Sequence, residues 1–101
     1  MKIRLQEFFE LPIRKACIHC RTETQANILL KAFDDMGKRW CTGDSYLSFS
    51  NWNRHRENTT YNNGGQYGNI RYAGDNGYMI FEFEDVIFDL DKLKEFIRSL
   101  K

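Results

Sequence analysis

Apolar residues recur at helical spacing in some stretches of the chain and at alternate positions in others. Ala26, Leu29, Leu30, Phe33 and Met36 lie three or four apart, with Glu23, Asn27, Lys31 and Asp35 on the other side, the pattern of a helix with one buried face. Thr22 stands in N-cap position with Gln25 three residues on, and Gly37 follows the last periodic residue. The sequence therefore predicts a helix that starts after Thr22 and stops at Gly37. Leu93, Phe96, Ile97 and Leu100 keep the same spacing behind Asp89 or Asp91 and predict a C-terminal helix packed on a sheet. Leu5, Gln6, Phe8 and Phe9 read as a short helix ended by Pro12, although Lys2-Ile3-Arg4-Leu5 also alternates like a strand.

Strand patterns fill most of the remainder. Residues 78–84 place Met79, Phe81 and Phe83 on one face and Tyr78, Ile80, Glu82 and Glu84 on the other. Turn chemistry at Gly74-Asp75-Asn76-Gly77 joins this strand to one at 69–73, and Asn63-Gly64-Gly65 joins that one to a strand at 58–62. These three read as an antiparallel meander. A strand at 15–20 feeds the first helix, and a short one is expected at 39–41. The fold class predicted is α+β: one domain over residues 1–101, an antiparallel sheet of about four to five strands, a long helix after the first strand, and a C-terminal helix. Ile70 and Tyr72 are expected to join Met79, Phe81 and Phe83 in the core. The face with Arg71, Tyr78, Ile80 and Glu82 is then covered by a helix or meets a ligand or second subunit.

Composition narrows the function classes. Fifteen Lys and Arg against fourteen Asp and Glu leave a net charge of +1, which disfavours nucleic-acid binding by bulk charge and equally an acidic DNA mimic. No apolar run approaches the roughly 20 residues of a membrane span, and no secretory signal precedes the first elements, so the expected compartment is the cytoplasm. Three cysteines, Cys17, Cys20 and Cys41, read as reduced thiols there. The spacing Cys17-Ile18-His19-Cys20 raises a metal or redox reading. On a strand at 15–20, however, Ala16, Ile18 and Cys20 face one way while Cys17 and His19 face the other. Two sulfurs on opposite faces cannot share an ion. A zinc site would need Cys17 with His19, or Cys20 with Cys41, completed by His55; no cofactor or metal is expected, and buried inert thiols are the simpler account.

The stretch from Trp40 to Tyr78 has an unusual composition. It is crowded with aromatics, asparagine, glycine and arginine, and Leu47 and Ile70 are its only branched aliphatics. Stacking rings, amides and guanidinium forks suit recognition of a planar polar ligand or a protein surface. Trp52-Asn53-Arg54-His55-Arg56 reads as an exposed loop or edge in which Trp52 supplies a stacking platform and Arg54 and Arg56 pair with phosphate. The opposing account makes Trp52 a core plug with the arginines solvating its rim. For Trp40, beside the end of the first helix, the core is expected. The ligand-binding residues predicted are Trp52, Arg54, His55 and Arg56, with Tyr67 and Arg71 as neighbours.

Catalytic motifs are absent: Gly64-Gly65 lies between strands rather than ahead of a helix, and nothing positions His19 or His55 against Cys20 or Cys41. A non-enzymatic protein is expected. Ile18-His19-Cys20-Arg21-Thr22 leading into a helix, then Gly37, Trp40-Cys41-Thr42-Gly43, Trp52, Thr60-Tyr61 and Tyr78-Met79-Ile80-Phe81-Glu82-Phe83 together resemble small uncharacterised proteins of phages and prophages in Gram-positive bacteria. The likeness spans residues 13–85. It implies a counter-defence factor acting in the host cytoplasm. Two readings follow: a homo-oligomeric sponge for a nucleotide-derived immune signal, or an inhibitor that binds a host defence protein such as a CRISPR nuclease through the same Trp, Tyr and Arg residues. Single-strand nucleic-acid binding is weaker, given the charge balance.

Overall fold

A computed structural model describes residues 2–88. In chain order the elements are β1 (Ile3–Arg4), α1 (Leu5–Glu10), β2 (Ala16–Cys20), α2 (Glu23–Asp35), α3 (Trp52–His55), a 3-10 turn (Arg56–Asn58), β3 (Thr59–Asn62), β4 (Tyr67–Asn69), α4 (Ile70–Asp75), β5 (Met79–Glu82), a second 3-10 turn (Phe83–Asp85) and β6 (Val86–Ile87). The fold is α+β. The C-terminal helix expected behind Asp89 or Asp91 lies outside the described residues.

Both ends of α2 follow from their side chains. The Thr22 hydroxyl accepts the Gln25 N–H at 3.1 Å, and the Gln25 side chain reaches back to the N–H of Arg21 at 2.8 Å, a variant of the capping box displaced by one residue. At the other end Gly37 takes a φ of 77°, so its N–H bonds the Asp34 carbonyl while Lys38 N–H bonds that of Phe33. This paired closure is open to glycine without strain. The short helix and the strand read from the N-terminal segment both occur, since β1 pairs in parallel with β6 immediately before α1.

The main sheet has the order β4-β3-β2-β5 and is mixed, not antiparallel. β2 runs antiparallel to β3, with Ile18 opposite Tyr61, and parallel to β5, with Ile18 opposite Phe81. The expected meander fails at the third strand because residues 70–75 are helical. Asn69 caps α4 by accepting the Arg71 N–H at 2.8 Å, and α4 carries the chain across to the far edge of the sheet, where β5 enters in parallel. The strand expected at 69–73 is thus β4 ending at Asn69, followed by a helix. Nor is there a strand at 39–41, where Trp40 N–H bonds the Asp44 carbonyl and Gly43 N–H that of Trp40 in a tight loop.

All five residues of β2 are buried, so both faces of the sheet are covered. Ala16, Ile18 and Cys20 join Leu5, Phe8, Leu29, Leu30, Phe33, Trp40, Tyr46, Trp52, Tyr61 and Phe81 in the main core. Cys17 and Ala73 are buried outside that cluster, on the opposite face, where α4 packs across β3, β4 and β5. Ile70 and Tyr72 do not enter the core as expected: Ile70 is half-buried and Tyr72 is 61% exposed. Met79, at 39% exposed, also leaves it, whereas Phe83, half-buried in the second 3-10 turn, packs against the core.

The β3–β4 hairpin is tied down at its tip. Asn62 Oδ1 accepts from the N–H groups of Gly64 and Gln66, each at 2.9 Å, and closes the loop. Asn63, 3% exposed, donates to the carbonyls of Phe8 and Ile13 and so staples the loop to the α1–β2 connection. Gly65, at φ 84°, accepts the Cys41 N–H at 2.9 Å. A Cβ there would stand 2.6 Å from the Cys41 nitrogen, so the close approach requires glycine.

Candidate functional site

Trp52 belongs to the core and not to an exposed platform. Asn51 adopts the left-handed conformation, φ 59° and ψ 16°, which turns the chain so that Trp52 opens α3 pointing inward, 8% exposed. The expected loop at 52–56 is thus a one-turn helix anchored by its tryptophan. Arg54 and Arg56 remain exposed. His55 is half-buried with its ring 6.1 Å from that of Tyr67, and its Nδ1 lies 3.5 Å from Asn69 Nδ2. Tyr67 in turn meets Trp40 edge-on at 6.2 Å. His55, Tyr67 and Arg71 therefore come together through Asn69, whose side-chain oxygen holds the Arg71 N–H while its nitrogen meets His55.

Beside this chain of contacts lies an open cleft of about 560 Å³, lined by Asn58, Asn69, Ile70, Arg71, Tyr72 and Asp75. Its volume falls in the range of small-molecule sites. One wall is α4 and the other is the 3-10 turn that follows α3. Among the described residues the Arg71 guanidinium has no hydrogen-bond or ion-pair partner in the protein. Tyr72, paired with Tyr78 at 6.3 Å, offers a ring face at the rim, and Asn58 and Asn69 supply amides. A guanidinium, a ring and amides around one hollow can pair an anion, stack a flat group and read its edge.

Of the predicted residues only Arg71 lines the cleft; His55 and Tyr67 support it from behind. Asn58, Asn69, Ile70, Tyr72 and Asp75 were not among the predicted site residues. Their available signal was the cap Asn69 ahead of Ile70 and Ala73 at helical spacing, which places Arg71, Tyr72 and Asp75 on one short helix.

The thiols sit apart from this site. Burial pushes Cys17 up to about 11, opposed by a hydrogen bond with Thr60. Burial raises Cys20 further, with the charges of Glu84 and Glu82 adding to it. Both are poor nucleophiles in this setting. His19 gives them no base, since its Nδ1 lies 3.0 and 3.1 Å from the two Glu82 oxygens and its Nε2 bonds the Glu57 carbonyl at 2.7 Å. Cys41 is exposed. Among the described residues no three His, Cys, Asp or Glu side chains gather to hold a metal ion, and no helix is long and apolar enough to cross a membrane.

Fold and site together define a small α+β protein with an open polar-aromatic cleft on a crossover helix. No family model matches the chain, and neither does any curated protein or solved structure.

Proposed function

We propose that this chain is a non-enzymatic binding protein whose cleft holds a nucleotide-like ligand. The observation that carries the reading is Arg71: a guanidinium unpaired among the described residues, in a hollow it shares with the Tyr72 ring and the Asn58 and Asn69 amides. Arg71 would meet a phosphate, Tyr72 would stack the base, and the amides would meet its polar edge. The phage likeness of the sequence supports a further step, in which the ligand is a nucleotide-derived immune signal sequestered for counter-defence. Tyr72 at 61% exposure favours a second reading, in which the Tyr72–Tyr78 pair anchors an interface with a host defence protein.

Incubating the purified protein with a nucleotide extract, then heating it and identifying what is released, separates the two. The sponge reading expects a released nucleotide, and expects Arg71→Ala to weaken its binding roughly 10- to 100-fold with an unchanged thermal midpoint. Recovery of no small molecule, together with co-purification of a host protein, would sink it in favour of the interface.

A further inference from the structure

Two opposite charges share the cleft without pairing. Arg71 and Asp75 stand four residues apart on α4, and both line the hollow. Both are exposed, and among the described residues neither side chain has a hydrogen-bond or ion-pair partner. Their order is also the less favourable one for a helix. A cation in the first turn and an anion in the last oppose the partial charges of the helix ends, and a cation ahead of an anion is the weaker direction for a pair one turn apart. The stability of α4 does not call for this arrangement.

Tyr72 lies three residues before Asp75 and Arg71 four, so a ring, a guanidinium and a carboxylate stand at neighbouring positions of one helix and line one hollow. With a phosphate on Arg71 and a base against Tyr72, Asp75 is left facing an edge of that base. A carboxylate only accepts hydrogen bonds, so the edge it meets must donate, and two donors side by side match its two oxygens. Guanine has that edge, N1–H beside the exocyclic N2 amino group. Adenine sets its amino group beside a bare N1 lone pair, cytosine sets its own beside a bare N3, and uracil flanks its one N–H with two carbonyls. Each of those turns a lone pair toward the carboxylate. The Asn69 amide is already engaged by the Arg71 N–H and His55, whereas the Asn58 side chain on the other wall has no partner among the described residues and is left to donate to the guanine O6.

We infer that the cleft selects guanine among the bases, with Asp75 reading its N1–H and N2–H donors; this rests on the nucleotide reading of the cleft and narrows the class of nucleotide. Arg71 supplies affinity for the phosphate that every nucleotide carries, and Asp75 supplies the discrimination. Specificity at such a site comes as much from the lone pairs that Asp75 repels as from the donors it accepts.

Calorimetric titration of the full chain with guanosine, inosine and adenosine monophosphates tests the assignment. Guanosine monophosphate should bind at least roughly tenfold more tightly than adenosine monophosphate, the difference expected from one charge-assisted hydrogen bond kept or lost. Inosine monophosphate, which keeps N1–H and lacks the amino group, should fall between them. Asp75→Asn should lose most of the preference for guanine and gain affinity for xanthosine monophosphate, whose C2 carbonyl can accept from the amide that the substitution introduces. A residue that merely shaped α4 would not move selectivity from one base to another. Asp75 is exposed, so the thermal midpoint of the variant should match that of the wild type. Adenosine monophosphate bound as tightly as guanosine monophosphate overturns the inference and leaves the nucleotide reading standing, as does a guanine preference that Asp75→Asn keeps. A wild-type chain that binds none of the three refutes the nucleotide reading itself, and the guanine selectivity with it.

Discussion

Replacing Gly65 by alanine should be far more damaging than a glycine-to-alanine change elsewhere on the surface. Gly65 has a φ of 84°, and an added Cβ would lie 2.6 Å from Cys41 N and 3.2 Å from both Cys41 Cα and the Trp40 carbonyl carbon. All three are backbone atoms, so no rotamer change relieves the clash. Forcing alanine into the left-handed region costs roughly 1–2 kcal/mol, and separating the hairpin from the 40–41 loop loses the Cys41 N–H bond to the Gly65 carbonyl, worth about 1 kcal/mol. The expected loss is about 2–3 kcal/mol, or roughly 8–24 °C in melting midpoint for a domain of this size. Gly37 isolates the backbone part, because its φ is 77° and nothing lies within 4 Å of its Cβ position; Gly37→Ala should cost only about 1–2 kcal/mol. Gly64, with no positive φ and its nearest neighbour at 3.5 Å, should tolerate alanine within about 0.5 kcal/mol. Urea unfolding of the three variants, at constant m-value, reads the ranking directly. If Gly65→Ala is no worse than Gly37→Ala, the hairpin tip is not docked on the Trp40–Cys41 loop and the reasoning fails.

Trp52→Ala should lower stability by roughly 3–5 kcal/mol, the range for emptying a buried aromatic site; a loss under about 1 kcal/mol with weakened ligand binding would return Trp52 to the site. Alkali should destabilise the fold in two overlapping steps. Burial raises Cys17 from 9.0 to about 11 and Tyr46 from 10.0 to about 12, with the charge of Cys41 adding to Tyr46, so the folded chain keeps protons that the unfolded chain has shed. Stability is then full below pH 9.0, falls as pH rises toward 11 for the thiol, and falls between 10.0 and 12 for the phenol. A urea midpoint that is flat from pH 9.0 upward would contradict those burial effects. In the native state at neutral pH, iodoacetamide should label Cys41 and spare Cys17 and Cys20.

What the sequence made legible tracks how local each determinant is. For α2 a cap, an apolar stripe and a stop residue lie within sixteen residues, and the helix is found where they place it. α4 is six residues long, too short for periodicity to outweigh the strand-like alternation of Ile70 and Tyr72, and the cap Asn69 was its one local mark. Missing that helix also hid the parallel entry of β5, because a parallel neighbour requires a crossover. Trp52 illustrates a different failure: its direction is set by the left-handed Asn51, which no pattern of polar and apolar residues reports. The aromatic, Asn and Arg composition singled out residues 40–78, and Arg71 of that stretch lines the cleft, but Asn58 and Asp75 look like turn residues until the crossover places them beside it.

The centre of the sheet has consequences for how the chain reaches this structure. β2 pairs only with partners far along the sequence; His19 and Glu82, neighbours across its pairing with β5, are 63 residues apart, and the Asn63 staple to Phe8 closes a span of 55. No strand near it in sequence can pair with β2 while the chain is incomplete, although α2 can already pack on one of its faces. Assembly must therefore wait for large loops to close, which points to millisecond-to-second folding and leaves an apolar strand open to pairing with other chains in the interval. Yield of soluble protein should then depend on the rate of synthesis and on temperature more than on the final stability of the fold.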